Sequence, residues 1–297
     1  RAFILKQEII DEMNYVDLLS YIEETNRCPG GKRTITKIMN SVFLPSNPKI
    51  LEIGSNTGFT SIELAKLIED ANIIGIDVNE NAVEKSKVIL KKEPMYIQKK
   101  VDFRVGDASD LDFEDNSFDM IITGGANTFI NESDREKAVK EYRRLLKPNG
   151  FLSITNLFYD KPIPKDLLDD LEKVLNFRIK PWRRAYWLDL FLSSGMELFS
   201  YNEQKMKKRK EVELLDYVDE IIDDAELYKE HDDKFVKQIK SRWYEIMKTF
   251  NDNHEYLSFM MIVMRNNTTN EQREFFLEED VIDPWTIKYE EKIWNEE

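Results

Sequence analysis

Only one cysteine, Cys28, occurs in 297 residues, so no internal disulfide can form and no cysteine-based zinc cluster can be built. Histidine is nearly as scarce: His231 and His254 are all the imidazole available for acid–base work. Ten glycines and nine prolines are too few for a collagenous, mucin-like or wholly disordered chain. No stretch approaches the ~18 consecutive apolar residues of a membrane helix, and nothing resembles a secretory signal, so a cytoplasmic protein without a membrane span is expected. Basic residues fall short of acidic ones, 43 against 57, for a net charge of −14. A field of that sign repels a phosphate backbone and argues against bulk nucleic-acid binding. Hydrophobic residues still make up 41%, enough to bury the core of one large domain or two modest ones.

Between residues 49 and 157 short apolar runs alternate with helical spacing. Residues 49–53, 72–77, 101–105, 118–123 and 151–157 read as strands; 60–68, 79–91 and 132–146 read as helices. The last helix is expected to stop at a turn over Lys147-Pro148-Asn149-Gly150. Two later strands are expected over 196–201 and 256–264, which makes seven. Such alternation predicts an α/β fold: an open, twisted, mostly parallel sheet with helices on both faces. Ile9, Met13, Val16 and Leu19 suggest one face of an N-terminal helix, and Ile38, Val42 and Phe43 suggest another before the first strand. Together residues 1–48 form an expected helical cap. A helical insertion over about 206–252 carries the stripe Phe235, Ile239, Trp243, Ile246 and Phe250, expected to pack on the sheet or the N-terminal helix. The main domain is thus drawn over 1–265, and 266–297 as an extension. Its last twenty-seven residues hold ten acids, three bases and five aromatics, and docking with the rings packed inward is expected.

The chemical signal is concentrated in Glu52-Ile53-Gly54-Ser55-Asn56-Thr57-Gly58, where a buried strand runs through a tight glycine turn into a helix. Such a turn brings backbone N–H groups close to a ligand. It lacks the Lys-Ser/Thr ending of a phosphate-binding P-loop and the three-glycine dinucleotide spacing. Asn56 lies midway between the two glycines, and asparagine tolerates the left-handed backbone. Asp77-Val78 closes the second strand nineteen residues after Gly58, Asp107-Ala108 follows the third, and Gly124-Gly125 follows the fourth. Each acid also has a plain reading as a turn or helix cap.

Taken in order, these segments resemble the motifs of class I S-adenosylmethionine (SAM)-dependent methyltransferases, with Leu145-Leu146-Lys147-Pro148-Asn149-Gly150 as the approach to strand five. The resemblance implies a Rossmann-like fold and a SAM site made of Glu52, Gly54, Ser55, Asn56, Thr57, Gly58, Asp77, Val78, Asp107, Ala108 and Gly124. In the family the second-strand acid accepts from the ribose hydroxyls and the third meets the adenine amino group. Cys28-Pro29-Gly30-Gly31 resembles the Gly-Gly segment of small-molecule members, which lies over the cofactor; an ordinary turn leading into a helix is the alternative. The expected reaction is methyl transfer from SAM to a small molecule, leaving S-adenosylhomocysteine (SAH) and requiring no metal. An RNA or peptide acceptor and a non-catalytic SAM sensor are the rival readings.

No catalytic base follows from the motifs, since Phe129 stands where small-molecule members often carry histidine. Asn127 and Tyr21 are the candidates left for a catalytic role. Arg183, Arg184 and Trp187 are candidates for holding the substrate, with a solvated basic loop as the alternative. Monomer or homodimer is left open.

Overall fold

A computed structural model describes residues 7–19, 21–22, 24–269 and 272–295. The first six residues of the expected cap and the last two of the extension lie outside the described residues. In chain order the elements are α1 (Gln7–Glu12), α2 (Tyr15–Leu18), α3 (Lys32–Met39), β1 (Lys49–Ile53), α4 (Phe59–Leu67), β2 (Asn72–Asp77), α5 (Glu80–Leu90), α6 (Met95–Gln98), β3 (Val101–Val105), β4 (Phe118–Thr123), α7 (Ala126–Phe129), α8 (Arg135–Leu145), β5 (Leu146–Tyr159), α9 (Lys165–Leu175), α10 (Arg184–Leu192), β6 (Glu197–Lys205), α11 (Glu211–Asp224), α12 (Asp233–His254) and β7 (Leu257–Arg265).

The seven strands form one sheet in the order β3-β2-β1-β4-β5-β7-β6. The first five are parallel; β7 runs antiparallel to both of its neighbours. Apolar side chains of α3, α4 and α5 cover one face of the sheet, and those of α8 and α10 cover the other. This is the doubly covered sheet that strands buried along nearly their whole length, such as Lys49–Ile53, require.

A third cluster lies apart from the sheet faces. Ile10, Tyr15, Leu18 and Ile22 pack against Leu214 and Val218 of α11 and against Ile239, Trp243 and Ile246 of α12. Because Tyr159 and Lys205 pair with Leu257 and Ser258, the insertion leaves and re-enters the sheet at the carboxyl ends of the parallel strands. The α11–α12 pair and the N-terminal segment therefore make a roof over that edge, where open α/β sheets bind ligands.

Three local expectations change. The N-terminal helix is broken: Asn14 caps α2 in a capping box with Asp17, which ends α1 early. The break turns Ile9 and Val16 outward and buries Ile10, Tyr15 and Leu18 instead. Val42 and Phe43 fall beyond α3, and Phe43 is exposed. Residues 147–150 do not end the helix in a free turn but bulge from β5, with three extra residues between the Phe118 and Met120 pairings. Pro148 has no N–H to donate to the ladder and Asn149 adopts φ +63°.

The extension contacts the body through few residues. Ile287 is buried, Trp294 Nε1 donates to the Tyr159 carbonyl at 2.9 Å, and Lys292 pairs with Asp189. Phe275, Phe276, Trp285 and Tyr289 are exposed, contrary to the inward packing expected of all five rings. Phe275 and Phe276 pack edge-on against each other, in a stretch where four of the seven residues 274–280 are acids. Deleting 271–297 should cost roughly 2–4 kcal/mol, mostly from Ile287 and Trp294, and lower the melting temperature. An unchanged melting temperature would show that these contacts contribute nothing.

Candidate active site

The glycine turn is tied to its neighbours by the backbone. Gly54 and Ser55 both donate to the Ile76 carbonyl, at 2.9 and 2.8 Å, and Gly106 donates to the Asp77 carbonyl at 3.0 Å. Gly54, Asn56 and Gly58 take φ of +73°, +46° and +92°. Asparagine thus holds the left-handed position, as its short polar side chain allows. A Cβ at Gly54 would overlap that of Ala126, so the β1 turn and the β4 turn are in van der Waals contact. The ends of β1, β2, β3 and β4 come together at one edge.

Each acid at that edge has a distinct environment. The Asp77 carboxylate accepts from Asn56 N–H on Oδ2 and Asn79 N–H on Oδ1, both at 2.9 Å. Two donors leave about two of its four lone-pair sites open. Asp107 accepts from the N–H and hydroxyl of Ser109, and those bonds hold its carboxyl below the usual range. Glu52 is buried and takes the Ser61 N–H and hydroxyl, with no cation among the described residues within ion-pair distance. Burial pushes its carboxyl up to about 8. The same burial, aided by the Glu52 charge, pushes the Cys28 thiol up to about 12, so Cys28 is a packed, unreactive thiol.

Several features leave room for a ligand. The Ser55 and Thr57 hydroxyls are buried without a hydrogen-bond partner. A Cβ at Gly124 or Gly125 would meet nothing within 4 Å. Val78, beside Asp77, is 70% exposed. Such unused buried donors beside an open surface are what a polar ligand would satisfy.

Comparison with known proteins fits this geometry. A methyltransferase-domain family model matches residues 50–150, the span from β1 into the β5 bulge. An uncharacterised protein of Haemophilus influenzae is 31% identical over 185 residues, 62% of this chain and 72% of that protein. The chain belongs to the class I SAM-dependent methyltransferases. The demethylmenaquinone methyltransferase of Thermotoga maritima is 32% identical over 142 residues, 48% of this chain and 56% of its own length. Among solved structures, that of MccD protein superposes with a TM-score of 0.66 at 27% identity, covering 81% of this chain and 99% of that one.

Other candidates in this methyltransferase sit differently from expectation. Asn127 is 2% exposed: its amide donates to Thr123 Oγ1 and its carbonyl oxygen accepts from Tyr142, so it braces the β4–α7 turn rather than facing a substrate. Arg183 pairs with Glu291 and stacks on Trp294; Arg184 pairs with Glu203 and Glu290. Both guanidiniums are occupied by acids, largely from the extension. Trp187 lies in the core beside Leu188 and Phe191, too enclosed to line an open pocket. Tyr21 packs edge-on against His231 and Phe235 in the roof. Gly30 and Gly31, at φ +76° and +59°, lead into α3, and a Cβ on Gly30 would press on Thr34 and Phe259.

Sequence reasoning missed two sets of residues. Arg135 is buried and donates to the carbonyls of Asn127, Thr128 and Ile130, fixing the turn that carries Gly124. In the roof, Glu24 accepts from the phenols of Tyr15, at 2.9 Å, and Tyr217, while Arg27 lies over the Tyr15 ring. Arg135 and its acceptors lie within eight residues, and Tyr15 within nine of Glu24, but no motif marks them; only Tyr217 is distant, 193 residues from Glu24.

Proposed function

We propose that the chain methylates a small molecule, with SAM held along the carboxyl edge of β1–β4. The bond from Asn56 N–H to Asp77 Oδ2 carries this reading, because it sets the turn and the acid at one ligand. The open lone pairs of Asp77 suit two ribose hydroxyls, Asp107 and Ala108 suit the adenine edge, and the hydroxyls of Ser55 and Thr57 would gain partners. Gly124, Gly30 and Gly31 supply surface without side chains. Glu52, which burial keeps protonated in the ligand-free chain, would be driven toward its ionised form by a cationic sulfonium and ammonium bound nearby.

SAM supplies a methyl group on sulfur that is already electrophilic. The protein's task is to align the acceptor atom with that methyl and to keep water out, which supports most of the rate by orientation alone. The roof of α11, α12 and the N-terminal segment provides such enclosure. A small acceptor is supported by that roof, by the charge of −14, and by the likeness to a demethylmenaquinone methyltransferase. Burial pushes the Tyr15 phenol well above its ordinary value, so it is no base at neutral pH. The motifs supply no histidine base either, so this reading sends the acceptor's proton to water or has it leave before binding, and kcat/KM should then follow the acceptor's own ionisation. Turnover of labelled SAM with panels of small amines, phenols and carbanion-forming quinols, against peptides and RNA, tests the reading. Turnover confined to peptide or RNA would overturn the small-molecule assignment, and none at all would favour a sensor.

A further inference from the structure

Most arginines at the core and roof are already engaged. Arg135 is taken by loop carbonyls, Arg178 by Asp169 and Glu172, and Arg183 and Arg184 by acids as described. Arg242 donates to the Met13 carbonyl and pairs with Glu245. Arg27 differs. It is half-buried, its guanidinium lies 4.3 Å from the Tyr15 ring centroid, and none of its side-chain N–H groups has an acceptor among the described residues. The adjacent carboxylate, Glu24, is turned to the Tyr15 and Tyr217 phenols and makes no ion pair with it.

Its place in the fold gives this free fork a purpose. Tyr15 is held from two sides, stacked on Trp243 at 5.5 Å and edge-on to Phe250 at 5.0 Å. The ring in turn presents a rigid platform for the guanidinium, whose plane leaves its N–H edge free for in-plane bonds. One residue on, Cys28 packs against the cluster that holds Ile50 of β1 and Ile62 of α4, the two elements that the glycine turn joins. Arg27 thus stands where the roof meets the cofactor turn.

We propose that Arg27 binds an anionic group of the methyl acceptor, a carboxylate or a phosphate, by a two-pronged hydrogen bond from its guanidinium. The inference rests on the small-molecule methyltransferase reading and narrows it to acidic acceptors. Tyr15 and Glu24 are positioning residues: the ring sets the plane of the fork, and the phenol–carboxylate bonds set the ring.

The test is calorimetric, on the full chain saturated with SAH, with acetate and inorganic phosphate as probes. One of the two anions should bind saturably, and which one tells carboxylate from phosphate. Arg27→Gln should weaken that binding about tenfold or more, with SAH affinity unchanged. Arg27→Lys should fall between, since an ammonium keeps the charge and loses the fork. If the glutamine variant fails to fold by circular dichroism, the lysine variant carries the comparison. Equal anion affinity in wild type and variant, or no saturable binding of either anion to the SAH-loaded protein, would overturn the proposal. A failure of SAH itself to bind appears in the first titration and defeats the cofactor reading beneath it.

Discussion

Gly54→Val should abolish measurable SAM binding and destabilise the fold by about 3 kcal/mol or more. The backbone there sits at φ +73°, and a side chain in that region costs roughly 1–2 kcal/mol. The added Cβ would also strike the Cβ of Ala126, so the β4–α7 turn must move away from the β1 turn. That movement displaces Gly124 and strains the Arg135 bonds to the loop carbonyls. Gly54→Ala carries the same backbone strain with a smaller intrusion and should lie between the two. Chemical denaturation and calorimetry on the three proteins provide the check. A valine variant that keeps wild-type stability and affinity would mean that the two turns are not packed as described.

Glu52→Gln should stabilise the ligand-free protein, and the gain should depend on pH. With its carboxyl pushed up to about 8 by burial, Glu52 stays protonated in the folded chain while its unfolded counterpart, near 4.5, is ionised. Between those values the folded state binds the extra proton, so stability falls as pH rises, by at most about 1.4 kcal/mol per pH unit. Glutamine removes the titration. The two proteins should therefore melt alike near pH 4.5 and diverge steadily to about pH 8, with the variant higher. A bound cation beside Glu52 favours its ionised form. SAM affinity of the wild type should accordingly rise with pH over the same window, while that of the variant stays level and lower. Parallel melting curves across the window would show that Glu52 is ionised throughout.

Much of the candidate site's backbone was legible because it is local. The β1, β2, β3 and β4 boundaries match their apolar runs, and the turn residues Gly54 to Gly58 lie within one stretch of chain, as do the strand-end acids Asp77 and Asp107. The stripe from Phe235 to Phe250 also reads directly, since a long amphipathic helix repeats its signal over several turns. What was not legible depends on partners distant in sequence. Arg183 is 108 residues from Glu291, and Tyr217 is 193 residues from Glu24. Composition makes Arg183 and Arg27 look alike; only the fold shows one guanidinium paired and the other free. The N-terminal helix failed for a local reason, because the Asn14–Asp17 capping box outweighs the apolar spacing on either side.

The central claim is that SAM binds at the Asp77 edge of the glycine turn, and titration of SAH into wild type and Asp77→Ala tests it most directly. Losing a carboxylate that accepts from two hydroxyls should cost roughly 1.5–3 kcal/mol, a ten- to hundredfold loss of affinity in a variant that remains folded. Unchanged affinity in the folded variant, or no binding to the wild type, would contradict the account.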